Sequence, residues 1–235
     1  MKADTNRQSS LKIKFKSEYP YVIICEGKDE YAFLISYLNY LEKTENAFVD
    51  CHNVIDFGGI TDVSQGLVNL KMYSNYEDMK GFLIVRDAEC DARGAVSSVK
   101  HHVKQVWGIE LDDDGGIKTT DDGLKIGYYL LPGLDDSGSF SNGTLEDLCA
   151  DILAGSSGEA SSVDLLLSTD KYMSSLVEMR GKNFIRSHKN RLHLYLSATD
   201  KYVGAKVGEA ASWGAFDLAS PKLDQLKKLI LNMQG

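Results

Sequence analysis

Two stretches of the chain carry residue types that could do chemistry at a useful spacing. In Phe82-Leu-Ile-Val-Arg-Asp-Ala-Glu-Cys-Asp91 an apolar run ends in Asp87, Glu89 and Asp91, three carboxylates at alternate positions. In Tyr21-Val-Ile-Ile-Cys-Glu-Gly-Lys-Asp-Glu30 an earlier apolar run ends in Glu26, Asp29 and Glu30. A third place, Thr144 with Glu146, opens an expected helix. Like charges held this close are costly unless something positive lies between them. Oxygen-only ligands suit a hard divalent cation, Mg²⁺ or Mn²⁺. Each group also has a plainer reading. Asp87 could cap a helix with acids in its first turn, Glu30 could be an ordinary first-turn acid, and Thr144 with Asp147 has the spacing of a capping box.

Such residues can meet only if the elements beneath them are parallel neighbours, because the carboxyl ends of an open α/β sheet share one rim. The pattern supports such a sheet. Short apolar runs at 21–25, 53–57, 81–85 and 124–131 read as buried strands. Residues 11–16 alternate apolar and basic and read as an edge strand. Between the runs lie helices. Tyr31, Leu34, Ile35, Leu38 and Leu41 form one apolar stripe, a second helix starts at Thr61 or Asp62 and runs to about 73, and a third spans 91–107. Residues 112–123, rich in Asp and Gly, read as a solvated hairpin, and 132–143 as a long mobile loop. A helix follows from Thr144 to 153. After Ala154-Gly-Ser-Ser-Gly-Glu-Ala-Ser-Ser162 the strand–helix rhythm stops, and helices are expected at 163–179, 188–196 and 221–233. The expected organisation is a tail at 1–10, an α/β core at 11–154 with a mostly parallel sheet flanked by helices, a linker at 155–162, and a helical extension at 163–235 packed on the core.

The totals fit an ordinary globular chain. Of 235 residues, 43% are hydrophobic and 26% charged. No apolar run approaches the roughly 18 residues of a membrane span, and the polar N-terminus lacks a signal-peptide segment, so a cytoplasmic protein with no membrane partner is expected. Four cysteines (Cys25, Cys51, Cys90, Cys149) show no CxxC spacing and read as reduced thiols rather than a disulfide frame or a zinc site. The net charge of −8 opposes bulk, salt-driven affinity for nucleic acid but leaves room for a local basic groove. Arg180, Lys182, Arg186, His188, Lys189, Arg191 and His193 form the one dense basic stretch, suited to phosphates or simply solvated.

The ordered pair Ile23-Ile-Cys-Glu26-Gly27 and Val85-Arg-Asp87-Ala-Glu89-Cys-Asp91 resembles the Toprim fold, whose pattern is a Glu, usually followed by Gly, after the first strand and a DxD after a later one. Toprim includes topoisomerase and primase cores and the nucleases of the overcoming-lysogenisation-defect (OLD) type. Glu89 departs from the pattern by keeping the charge while lengthening the reach. Within Toprim the chain is most similar to small stand-alone proteins of unassigned function that share the Leu145-Glu-Asp-Leu148 helix start after a Pro-Gly loop and a tail like Gly208-Glu-Ala-Ala-Ser-Trp213-Gly-Ala-Phe-Asp217. The likeness spans about residues 20–230.

The resemblance implies that Glu26, Asp87 and Glu89 hold one metal and that Glu30, Thr144 and Glu146 face a second. Asp29, Asp91 and Arg86 stand behind them. A catalytic lysine is expected at Lys189, with Lys206 as second choice, and phosphate contacts from Arg186, Lys189, Arg191 and Lys206. The implied activity is metal-dependent hydrolysis of DNA or RNA phosphodiesters, in phage defence or nucleic-acid repair. Nucleic acid, an ATPase or other protein, and a second copy of the chain as a homodimer are the partners it would admit. A topoisomerase needs a tyrosine-bearing domain and a primase a zinc module, and neither has a counterpart in the sequence. A phosphoryl-accepting receiver domain needs a lysine just past a late strand, which Leu130-Leu-Pro-Gly133 does not supply. The non-catalytic alternative is a Mg²⁺- or nucleotide-binding regulatory module of a larger assembly.

Overall fold

In a computed structural model of the chain, the described residues are 20–45, 52–58, 63–72, 76–155, 160–181 and 187–234. The expected tail and edge strand, Thr61 and Asp62, Cys51, residues 156–159 of the expected linker, and Arg186 lie outside them. Five strands, β1 (Tyr21–Cys25), β2 (His52–Asp56), β3 (Gly81–Asp87), β4 (Lys118–Thr119) and β5 (Lys125–Leu131), form one sheet in the order β2-β1-β3-β5-β4. The pairings β1–β2, β1–β3 and β3–β5 are parallel, and β4 alone runs antiparallel to β5. Every residue of β1 and β3 is buried. Strands covered on both faces tolerate continuous apolar runs, which explains why Tyr21–Cys25 and Phe82–Val85 show no alternation.

Among the described residues there are eight α-helices, α1 (Lys28–Glu45), α2 (Val63–Leu70), α3 (Ala92–Trp107), α4 (Leu145–Gly155), α5 (Ala160–Arg180), α6 (Ser187–Ser197), α7 (Val207–Ser212) and α8 (Asp224–Gln234), of which α1, α3, α4 and α8 pack on the strands. The mostly parallel sheet flanked by helices, with helices at the C-terminus, is a Rossmann-like α/β arrangement. Phe33, Leu34, Tyr37, Leu38 and Leu41 form the buried face of α1, so of the expected stripe Tyr31 is exposed and Ile35 only half-buried, the face being turned toward Phe33 and Tyr37. Asp91 caps α3 by accepting from the Gly94 amide at 2.9 Å, and Gly108, at φ 72°, ends that helix in the left-handed conformation.

Several details differ from the sequence expectations. β3 runs on through Arg86 and Asp87, so Asp87 ends a strand rather than capping a helix. Helix α4 extends to Gly155 and α5 begins at Ala160, which narrows the Gly/Ser-rich connection from both sides. Pro221–Leu223 is a separate 3₁₀ turn before α8. Helix α7 was not foreseen, because six residues are too few to show a helical stripe. The 132–143 segment is not loose. Asp135 accepts from the amides of Ser137 and Ser139, Asp135 N–H donates to Ser139, and Leu134 bridges Phe140.

The C-terminal helices belong to the same core as the sheet. Helix α8 lies against β3 and β5 with Leu226, Leu229, Ile230 and Met233 buried. Lys125 Nζ donates to the carbonyls of Asn232 and Met233 at the end of α8, each at 3.2 Å, satisfying acceptors that the helix leaves unpaired. Helix α7 packs on α1 so closely that a Cβ on Gly208 would meet Ala32 Cβ at 2.5 Å and the Asp29 carbonyl at 2.8 Å. Among the described residues no helix is long and apolar enough to cross a membrane.

Candidate metal centre

The parallel register brings the carboxyl ends of β1, β2 and β3 to one rim. Glu26 follows β1 directly. In the β1–β3 pairing Ile24 faces Ile84, so Glu26 comes level with Arg86. Arg86 Nε is 3.0 Å from Glu26 Oε1, with both side chains largely buried. Its N–H is aimed at the Asp87 carbonyl (3.4 Å), so the Arg86–Glu26 contact is an ion pair and leaves Oε1 buried without a hydrogen bond. Asp87 is 5% exposed, and its Oδ1 accepts the Leu145 amide at 2.9 Å. The N-terminus of α4 is thus aimed at this carboxylate. One residue on, Glu146 is 6% exposed, and Lys189 on α6 brings its Nζ to 3.6 Å from Glu146 Oε1.

These groups line one open cleft of about 430 Å³, walled by Glu26, Asp29, Glu30, Asp56, Asp87, Glu89 and Glu146, with Lys28 and Lys189 as its cations. Burial, opposed by Arg86 and reinforced by Glu30 and Glu89, pushes Glu26 up to about 7. Burial, followed by the charges of Glu30 and Glu26 and opposed by the Leu145 amide, pushes Asp87 up to about 8. Glu30 is also raised, by burial first. Among the described residues no three His, Cys, Asp or Glu side chains are drawn together closely enough to hold a metal ion as they stand. Carboxylates that repel one another across a cleft do not close on a common point without a cation. The donor chemistry nevertheless fits a hard divalent ion: the groups are all carboxylates, and burial raises both Glu26 and Asp87, a cost that a cation would offset.

Of the residues expected from sequence, Glu26, Asp29, Glu30, Asp87, Glu89, Glu146 and Lys189 share this cleft, and Arg86 lies behind Glu26. Others do not line it. Thr144 is 3% exposed; its hydroxyl donates to Asp147 Oδ2 at 3.1 Å and its amide to the same oxygen at 2.8 Å, the return half of a capping box, with the hydroxyl donating rather than accepting. Asp91 is committed to the start of α3 and faces a neighbouring cavity. Arg191 is paired with Asp170 by two hydrogen bonds, 2.6 and 2.9 Å, tying α6 to α5 rather than standing ready for phosphate. Lys206 is exposed at the start of α7. Asp29 also receives the Gly208 amide at 3.3 Å, so it tethers α7 to α1.

Three contributors were missed. Asp56 closes β2 beside Cys25 on the same rim, and the strand-end rule that singled out Glu26 and Asp87 would have found it. Lys28 sits between Gly27 and Asp29 in a stretch already under scrutiny. The Leu145 amide leaves no trace in residue type, because a backbone donor is not encoded by its side chain.

No curated protein and no solved structure was found to match the chain. A family model described as a protein of unknown function, DUF3226, matches residues 20–233, from the residue before β1 to the last turn of α8. Since that match takes in the whole sheet, the acidic cleft and every helix, the chain belongs to the DUF3226 family.

Proposed function

We propose that this protein is a divalent-metal-dependent phosphodiesterase acting on nucleic acid, with a Toprim-like centre of the kind found in OLD nucleases. The observation that carries the reading is the gathering of Glu26, Glu30, Asp87, Glu89 and Glu146 in one cleft, where burial pushes Glu26 and Asp87 up from the usual carboxylate range. A carboxylate cluster costing this much is stabilised by a cation. Glu26, Asp87 and Glu89 would hold a Mg²⁺ or Mn²⁺ ion, with Glu30 and Glu146 facing a second. Such ions supply Lewis acidity toward a phosphoryl oxygen and a bound water of lowered pKa.

The chain's own residues do the rest. Arg86 holds Glu26 from behind by its ion contact. The α4 amide at Leu145 fixes Asp87. Lys189, half exposed beside Glu146, is positioned to meet a phosphate and offset charge building on its oxygens. A chain of net charge −8 would approach a polyanion mainly through this neutralised cleft. The protein would act in the cytoplasm, on DNA or RNA, alone or beside an ATPase partner, in phage defence or repair.

The test is to incubate purified protein with plasmid, single-stranded DNA and RNA in Mg²⁺ or Mn²⁺. Cleavage that disappears in Glu26→Ala and in Asp87→Ala supports the reading. Absence of cleavage with either metal, alongside tight metal binding, would replace it with a non-catalytic Mg²⁺- or nucleotide-binding regulatory module.

A further inference from the structure

The segment carrying Asp87 and Glu89 leaves β3 in a conformation the chain does not adopt freely. Glu89 has φ 55°, and among the described residues no other non-glycine residue has a positive φ. A side chain with a Cβ is disfavoured there and stays only where its surroundings over-determine it. The surroundings here are a single stretch of chain, 131–145. The Ala88 amide donates to the Leu131 carbonyl at 3.0 Å. Glu89 and Gly143 exchange both backbone hydrogen bonds, each 2.8 Å. The Ala92 amide donates to Asn142 Oδ1 at 2.8 Å. The Leu145 amide reaches Asp87 Oδ1 at 2.9 Å. Thus both acids of the arm, together with Ala88 before Glu89 and Ala92 three residues after it, are held by one partner segment.

That partner is itself held. The Asp135 carboxylate gathers Ser137 and Ser139, and Leu134 bridges Phe140. Gly143, at φ 144°, could not be replaced without movement, because a Cβ would meet Asp147 Oδ2 at 2.8 Å and Pro132 Cδ at 2.9 Å. Asn142 is exposed, and α3 already has Asp91 as its cap, so the Asn142–Ala92 bond is not needed to form that helix.

We propose that segment 131–145 is a clamp for the Asp87–Glu89 arm, with Asn142 and Gly143 as positioning residues that set the affinity of the acidic cleft for a divalent cation. The proposal rests on the metal reading above. A ligand arm clamped in a disfavoured backbone state keeps its carboxylates on the cleft, from which they can close on an ion, and loosening the clamp lets Glu89 relax away from the cleft. Partners of this kind behind metal ligands typically carry about 10- to 100-fold in affinity.

The experiment titrates full-length wild type, Asn142→Ala, Asn142→Asp and Gly143→Ala with Mn²⁺, following free Mn²⁺ by electron paramagnetic resonance. It pairs these titrations with thermal melting in metal-free buffer and with amide hydrogen exchange at Glu89. Asn142→Ala is expected to weaken Mn²⁺ binding about tenfold and to speed exchange at Glu89 with little change in melting. Asn142→Asp, which keeps the acceptor for the Ala92 amide, is expected to restore both. Gly143→Ala is expected to weaken binding further, and should it fail to fold, the Asn142 pair decides. Variants that bind Mn²⁺ like wild type, or that lose melting temperature without losing affinity, overturn the clamp and leave the metal reading standing. Wild type that binds no Mn²⁺ overturns the metal reading and the clamp's role with it.

Discussion

Asp87 and Glu26 combine burial, negative charge and few donors, and their protonation follows from that. Asp87 is raised from 3.8 to about 8, with burial as the largest cause. Between those values the folded chain keeps a proton that the unfolded chain has released, so stability falls as pH rises through that window. Glu26, raised from 4.5 to about 7, adds to the slope over its own narrower range. Metal-free protein should therefore melt at a higher temperature near pH 5 than near pH 8.5, and Mn²⁺ should flatten the difference. Asp87→Asn, which can still accept the Leu145 amide, should remove most of the slope and abolish tight metal binding. Scanning calorimetry across this range checks the sign, and a metal-free protein that gains stability with pH would refute the account. Arg86→Met tests the other side of the pair. Removing the guanidinium leaves Glu26 buried without its counterion, which should cost about 3–5 kcal/mol at pH 8 and less at pH 5, where Glu26 takes up a proton. Urea unfolding of the variant at both pH values measures this.

Among elements, α1 and α7 meet closely at Gly208, and the contact bears on the cleft because Asp29 lies in it. Gly208→Ala would push a methyl group into Ala32 and the Asp29 backbone. It should cost about 1–3 kcal/mol in a denaturant titration and weaken the Gly208–Asp29 hydrogen bond, since neither contact is a yielding side-chain tip. The last helix behaves as core. Ile230→Ala on α8, at a residue 1% exposed, should cost about 2–5 kcal/mol and leave the metal affinity unchanged, because α8 packs on β3 and β5 away from the acidic rim. A change in affinity comparable to that of a cleft variant would show that the helix supports the site more directly than its contacts indicate.

For the whole molecule, the balance of charge sets how a polyanion could bind. With a net charge of −8, binding to nucleic acid should depend on divalent metal and collapse in EDTA. Lys189→Ala should weaken metal-dependent binding to a short DNA or RNA oligonucleotide. Arg191→Ala should leave it nearly unchanged, since that guanidinium is held by Asp170. Fluorescence anisotropy with labelled oligonucleotides separates the two, and equal losses would argue that α6 as a whole is the nucleic-acid surface.

The sequence alone determined the alternation of strands and helices, the parallel sheet, and the coincidence of acids with strand ends. All of these follow from local patterns: apolar runs at Tyr21–Cys25 and Phe82–Val85, and a helical stripe of which Leu34, Leu38 and Leu41 are buried as expected while Tyr31 is exposed. What each polar side chain finally touches could not be read that way. Asp91 and Thr144 matched the site by spacing but are occupied by hydrogen bonds at their own helix starts, while Arg191 is claimed by Asp170, 21 residues earlier. Asp56, by contrast, enters the site because β2 pairs with β1. Glu89, with its left-handed backbone, is bonded to Gly143, 54 positions away in the sequence and 2.8 Å away across the bridge. Such pairings are set by strand order and by which segment closes over which, and that order is fixed by long-range packing. The sequence could name the carboxylates, and only the tertiary structure decided which of them share a cleft.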